Sequence, residues 1–169
     1  MELLVGAGTN HKKRVTFEAI PDDWTELVTL DMDEKLEPDV VWNLEDLPYP
    51  FDDNLFDEIH AYEVLEHTGE QGDFRFFFKQ FMEFWRILKP DGWFCGTCPM
   101  WDSPWAWGDP GHKRIITADT LIFLSQDEYK VQVGKTQMTD YRPWWQGDFE
   151  LVAKNEHNGT LGFVIQAKK

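Results

Sequence analysis

Two groups of side chains in this chain are of types that could do chemistry. The first is Gly6-Ala7-Gly8, which follows the apolar run Leu3-Leu4-Val5, together with Asp31, which closes a second apolar run, Leu27 to Leu30. Glycine lets the main chain approach a ligand closely, because a Cβ there would collide with it. A carboxylate at a strand tip can accept hydrogen bonds from both hydroxyls of a ribose. Strand, glycine turn, strand and acid are the parts of a nucleotide-binding half-fold. The second group is Asp109-Pro110-Gly111-His112, with Tyr141 further on. An imidazole titrates near neutrality, so His112 is a candidate general base, with Asp109 and Tyr141 behind it. Its alternative role is to hold the loop by a hydrogen bond.

Four tryptophans, Trp101, Trp105, Trp107 and Trp144, flank that second group in segments containing proline and glycine. Such segments are poor places for core residues, so the indoles are expected to form a substrate wall. They could stack on a flat ring or surround an ammonium group. The alternative is that they fill gaps in a short domain. Glu66 and His67 follow an apolar stretch and could equally cap a helix end.

Other chemistries are disfavoured. A dinucleotide fingerprint needs a third small residue where His11 stands, and no Walker lysine loop follows either strand. Cys95 and Cys98 form a C-x-x-C, but on a strand residues three apart point to opposite faces. With no second cysteine pair, neither a metal site nor a disulfide is expected.

Composition sets the frame. The chain has 169 residues, 42% of them apolar, which suits one globular domain over residues 1–169. Its formal charge of −15 is spread along the sequence. Acidity of this kind disfavours a nucleic-acid backbone, whose binding depends on lysine and arginine. It leaves room for a free nucleotide or a small metabolite. No apolar run long enough to span a membrane and no basic-then-apolar leader are present, and the two cysteines are expected to stay reduced. A cytoplasmic protein is the expectation.

The elements that must position these residues can be read in outline. Val40-Val41-Trp42 and Phe56 to Tyr62 are expected strands, with Leu47 to Phe51 a proline-broken loop. Phe74, Phe77, Phe78, Phe81, Trp85 and Leu88 form the apolar stripe of a helix over about 73–88, with Asp73 its N-cap. Lys89-Pro90-Asp91-Gly92 should then turn the chain into a strand over Trp93 to Cys98. Thr117 should cap a short helix covering Leu121 to Leu124. Asn158-Gly159 between two β-rich runs signals a hairpin. Residues 10–26, with the basic tetrad His11 to Arg14, offer only a short helix or an irregular crossover.

This order resembles the class I S-adenosylmethionine-dependent methyltransferases. Five strings carry the likeness: Leu4 to Thr9; Asp31; Leu47 to Phe51 with Asn54 to Ile59; Val64-Leu65-Glu66-His67; and Arg86 to Gly92. They cover residues 3 to 100 in the family's order. The resemblance implies a Rossmann-like, doubly wound α/β sheet, mostly parallel, with a C-terminal antiparallel hairpin. It implies S-adenosylmethionine as cofactor, its methionine part on Gly6, Ala7 and Gly8. Asp31 would take the ribose, Met32 one face of the adenine, and Asn43 and Leu44 the adenine edge. Tyr62 and Glu63, with His67 from the same signature, would face the methionine group. Asn10 stands at the family's third glycine, and no extension precedes the first strand, so the usual substrate lid is expected to be missing.

Methyl transfer from a sulfonium needs alignment and exclusion of water more than a catalytic triad. The first expectation is therefore a methyltransferase acting on a small molecule. The second is a silent module of the same fold that works through a protein partner or a second copy, with exposed aromatics as its interface. A nicotinamide-dependent oxidoreductase is a third reading, against which His11 argues.

Overall fold

The computed structural model describes residues 1–169. Its seven strands are β1 (Glu2–Val5), β2 (Leu27–Asp31), β3 (Val40–Val41), β4 (Phe56–Tyr62), β5 (Leu88–Pro99), β6 (Phe149–His157) and β7 (Thr160–Ala167). They form one sheet in the order β3-β2-β1-β4-β5-β7-β6. The first five are parallel; β7 runs antiparallel between β5 and β6. This is the expected Rossmann-like α/β sheet. The order reverses between β1 and β4, so the crevice at their carboxyl ends is the switch point where such sheets bind ligands.

Period-two alternation assigns the faces. Leu3, Val5, Ile59, Ala61 and Phe94 join the main core under the long helix α1 (Phe74–Ile87). Phe77, Phe78, Phe81 and Phe84 of α1 are all buried there. Each contributes about 1.5–3 kcal/mol on burial. Asp73 caps α1 by accepting from Phe76 N–H. The neighbouring short helices α2 (Pro104–Gly108), α3 (Ala118–Leu121) and α4 (Gln126–Gln132) follow β5. Thr117 makes a capping box with Thr120 at the start of α3. At the hairpin, Asn158 (φ 51°) and Gly159 (φ 78°) both take the left-handed conformation that joins β6 to β7.

The opposite face carries no helix. Residues 10–26 cross it as an irregular strap with one isolated bridge, Phe17 to Ile20. Leu4, Ala7 and Tyr62 pack beneath the strap, and the strap's own Ile20 packs on Cys95 and Val164. Cys98 lies in the main core, so the two thiols do point to opposite faces. Two expectations fail in detail. Lys89 to Gly92 make no free turn: β5 starts at Leu88, pairs with Phe56, and absorbs Asp91 (φ 60°) at an irregularity in the ladder. Helices α2 and α4 form where no helix was expected, because Ser103 and Ser125 cap them locally. No helix is long and apolar enough to cross a membrane.

Candidate functional site

A cleft of about 390 Å³ opens at the carboxyl ends of β1, β2 and β4. Its volume falls in the usual range for small-molecule pockets. It is lined by Gly6, Asp31, Met32, Asn43, Leu44, Glu63 and His67 of the expected cofactor residues. The turn after β1 is held by two left-handed glycines, Gly6 (φ 59°) and Gly8 (φ 54°). A Cβ on Gly6 would lie 2.3 Å from Val64 Cγ2, so this position also admits the chain leaving β4.

Asp31 is the hinge of the site. It is buried, and its Oδ2 accepts from Gly8 N–H (2.9 Å) while its Oδ1 accepts from Asp33 N–H (3.0 Å). The carboxylate thus ties the glycine turn to the end of β2. Each oxygen keeps a further lone pair, enough for two hydroxyls. Met32 is 69% exposed beside it, free to lie on a flat ring. Asn43 folds its loop by accepting from Glu45 N–H at 3.0 Å.

The other end of the cleft is crowded with titratable groups. Glu63 ends β4 in a left-handed conformation (φ 54°), a strained arrangement for a residue with a side chain. Glu66 is 2% exposed, and neither of its carboxylate oxygens has a hydrogen-bond partner. Burial pushes its carboxyl up to about 8, and the adjacent Glu63 carboxylate adds to the rise. His67 Nδ1 is 3.1 Å from the Gly111 carbonyl, and its ring meets that of His112 edge-on at 4.6 Å. His112 Nδ1 is buried without a partner. Lys113 pairs with Glu45 at 2.8 Å across the cleft. The whole 111–115 segment is fixed from below by Arg114, which donates to the Leu65 carbonyl (2.9 Å) and to Thr68 Oγ1 (2.9 Å).

Other expected site residues lie elsewhere. Tyr62 faces the strap: its hydroxyl meets His60 Nδ1 at 2.6 Å, because alternation along β4 turns it away from the cleft. Ala7 packs under the strap as well, and Gly8 is spent on Asp31. Tyr141 lines a separate cavity of about 230 Å³ with Phe74, Phe78 and Phe123, so it does not join His112. Asp109 Oδ2 is 3.9 Å from His112 Nε2, too far for a hydrogen bond, and its Oδ1 accepts from Gly111 N–H at 2.7 Å. None of the four tryptophans lines the cofactor cleft or the Tyr141 cavity. Trp101, Trp105 and Trp107 stand exposed around α2, and Trp144 packs edge-on against Phe74 at 5.2 Å. Trp42, Glu45, Val64, Thr68 and Lys113 line the cleft unanticipated.

A glycine turn, an acid at the second strand tip and a cleft at the switch point define an α/β protein of the kind that holds an adenosine-bearing cofactor. A methyltransferase domain family model matches residues 5–96. That is more than half of the chain, and the chain belongs to this family. No curated protein matches it. Among solved structures it is similar to a SAM-dependent methyltransferase from Archaeoglobus fulgidus, with 17% identity, TM-score 0.57, and 99% and 85% of the two chains covered. It is also similar to N-methyltransferase NodS of Bradyrhizobium japonicum in complex with S-adenosyl-L-homocysteine, with 14% identity, TM-score 0.59, and 99% and 78% covered. A third is a complex of the Haloferax volcanii Trm112 methyltransferase activator with a methyltransferase, with 14% identity, TM-score 0.59, and 99% and 82% covered. At such identities the likeness is one of fold.

Proposed function

We propose that residues 1–169 act as one S-adenosylmethionine-dependent methyltransferase domain with a small-molecule acceptor. The observation that carries this is the cleft itself: seven of the ten expected cofactor residues converge on it, led by Asp31 with two oxygens still able to accept. The donor set suits the group, with Asp31 for the ribose hydroxyls, Met32 for the adenine face and the Gly6 turn for the amino-acid tail. When bound, the cofactor supplies a methyl group on a positively charged sulfur. The chain's part is to align an acceptor against it and keep water out. An oxygen or nitrogen acceptor must lose a proton, and the titratable end of the cleft, Glu63, Glu66, His67 and His112, is where that proton is handled. Buried free thiols at Cys95 and Cys98 suit a reducing, cytoplasmic setting.

Calorimetric titration with S-adenosylhomocysteine and with NAD tests the cofactor, and a labelled-methyl assay against a metabolite extract tests transfer. Binding of the first ligand alone, with label incorporated into a small molecule, is the expected result; NAD binding would sink the assignment. The exposed indoles of Trp101, Trp105 and Trp107 favour a second reading, a silent module that docks a protein partner. Cofactor binding with no transfer above background would favour that module.

A further inference from the structure

Glu66, His67 and His112 carry an arrangement that methyl transfer alone does not require. One ligand atom from each lies within 4.8 Å of the others. A metal held tetrahedrally at about 2.0–2.2 Å from each would bring them to roughly 3.5 Å of one another, a closing of about 1 Å or slightly more that rotation of the side chains must supply. Glu66 is nine-tenths buried and more, yet both its oxygens are unpartnered, and one of them lies within 4.8 Å of a ring nitrogen of each histidine. His112 Nδ1 is buried and unpartnered in the same cluster. An unpaired buried carboxyl and an unpaired buried imidazole nitrogen are each costly, and their convergence calls for a common partner.

His67 shows which kind of partner. A carbonyl oxygen can only accept, so Nδ1 donates to Gly111 at 3.1 Å and the neutral ring keeps its lone pair on Nε2. This is how a metal-bound imidazole is usually oriented, with the far nitrogen fixed by a backbone carbonyl. Two imidazoles and a carboxylate suit borderline divalent ions such as zinc, cobalt, manganese or iron rather than magnesium or calcium. Glu63, whose strained backbone sets it beside Glu66, would add a further carboxylate. We propose that Glu66, His67 and His112 bind one divalent transition-metal ion at the end of the cofactor cleft, and that this ion binds and activates a hydroxyl acceptor.

The role rests on the methyltransferase reading; the site itself does not. The ion takes an acceptor oxygen into an open position and lowers its pKa. The O–H proton passes to Glu63 or to water. The oxygen lone pair then forms the new O–CH₃ bond as the S–CH₃ bond breaks, its electron pair staying on the now neutral sulfur. His112 serves in this scheme as a ligand instead of a general base.

The test uses chelator-stripped protein titrated with Co²⁺, followed by calorimetry and by the visible absorption that imidazole-ligated cobalt shows. One ion per chain is expected, displaced by Zn²⁺. The paired substitutions His67→Ala and His112→Ala should weaken binding by about a hundredfold or more, beyond what loss of an outer hydrogen-bond partner causes. Glu66→Gln, which keeps the shape of the side chain, should weaken it as well. His157→Ala, an exposed histidine outside the cluster, should leave it unchanged. Cobalt binding that survives the double substitution, or no stoichiometric binding at all, overturns the site. Titration with S-adenosylhomocysteine is run on the same preparation. Cobalt binding without it would uphold the site and remove its role in transfer.

Discussion

Two buried glutamates, one on each side of β4's end, stand beside histidines and were built to opposite rules. Glu58 lies under the strap, where it meets Lys13 Nζ and His60 Nε2, each at 2.8 Å. His60 is in turn bonded to Tyr62, and Trp24 closes the cluster edge-on over the imidazole at 4.8 Å. No fully buried side-chain polar atom there lacks a partner within the chain. Glu66, buried behind His67 of the cleft lining, has none. The first cluster does the work of the missing crossover helix: it pins an irregular strap to the sheet through a buried ion pair instead of an apolar stripe. The second is left open to something from outside. A closed polar cluster makes structure, and an open one makes a site, because an unpartnered buried polar group persists only where another need holds it.

That contrast can be broken. The largest effect should come from Glu58→Ala, which strands Lys13 and His60 in a dry environment. Removing one partner of a buried pair costs about 3–5 kcal/mol, read from urea unfolding midpoints. A loss well under that figure would mean that the strap cluster is wetter and weaker than its geometry. Asp31 is intermediate, half-satisfied by the chain and half available. Asp31→Ala should weaken S-adenosylhomocysteine binding by about 1.5–3 kcal/mol, the worth of hydrogen bonds to a charged group, with the fold retained in circular dichroism. Unchanged affinity would show that the ribose is held elsewhere.

Acid should act on the closed cluster. Burial holds His60 below its ordinary 6.5, outweighing the pull of Glu58. Burial also opposes ionisation of Glu58, but hydrogen bonds from His60 and Lys13 leave its carboxyl below 4.5 overall. In both cases the unfolded chain takes up the proton first as pH falls. The contribution of this cluster should therefore decline below 6.5 and again below 4.5, whereas Glu66, which holds its proton up to about 8, acts in the opposite direction as pH falls toward 4.5. Melting temperature followed from pH 7 to pH 4 in a Glu66→Gln background checks this, and His60→Phe should remove the decline that sets in above 4.5. The smallest effect is expected from Glu66→Gln in metal-free protein. It breaks no internal hydrogen bond, so stability should shift by less than about 1 kcal/mol. A penalty as large as that of Glu58 would erase the distinction.

Much of the frame was readable from residue order. The glycine turn, Asp31 and the aromatic stripe of α1 report local geometry: a positive φ, a strand tip and a helix period need few residues to declare themselves. Tyr62 was misplaced because one step along a strand exchanges faces, and nothing local says which face is the cleft. The tryptophans misled for a related reason. An indole in a loop can line a pocket, stand in water like Trp105 or, as Trp145 does, stack on Phe149 in the core.

The sequence by itself determined the parallel half-fold, the acid at its second strand tip and the terminal hairpin, since periodicity and turn chemistry act over short distances. Only the tertiary structure decided that His112 returns to His67 across 45 positions of chain. It alone left Glu66 beside them with no partner, because burial and hydrogen-bond satisfaction are properties of the packed whole.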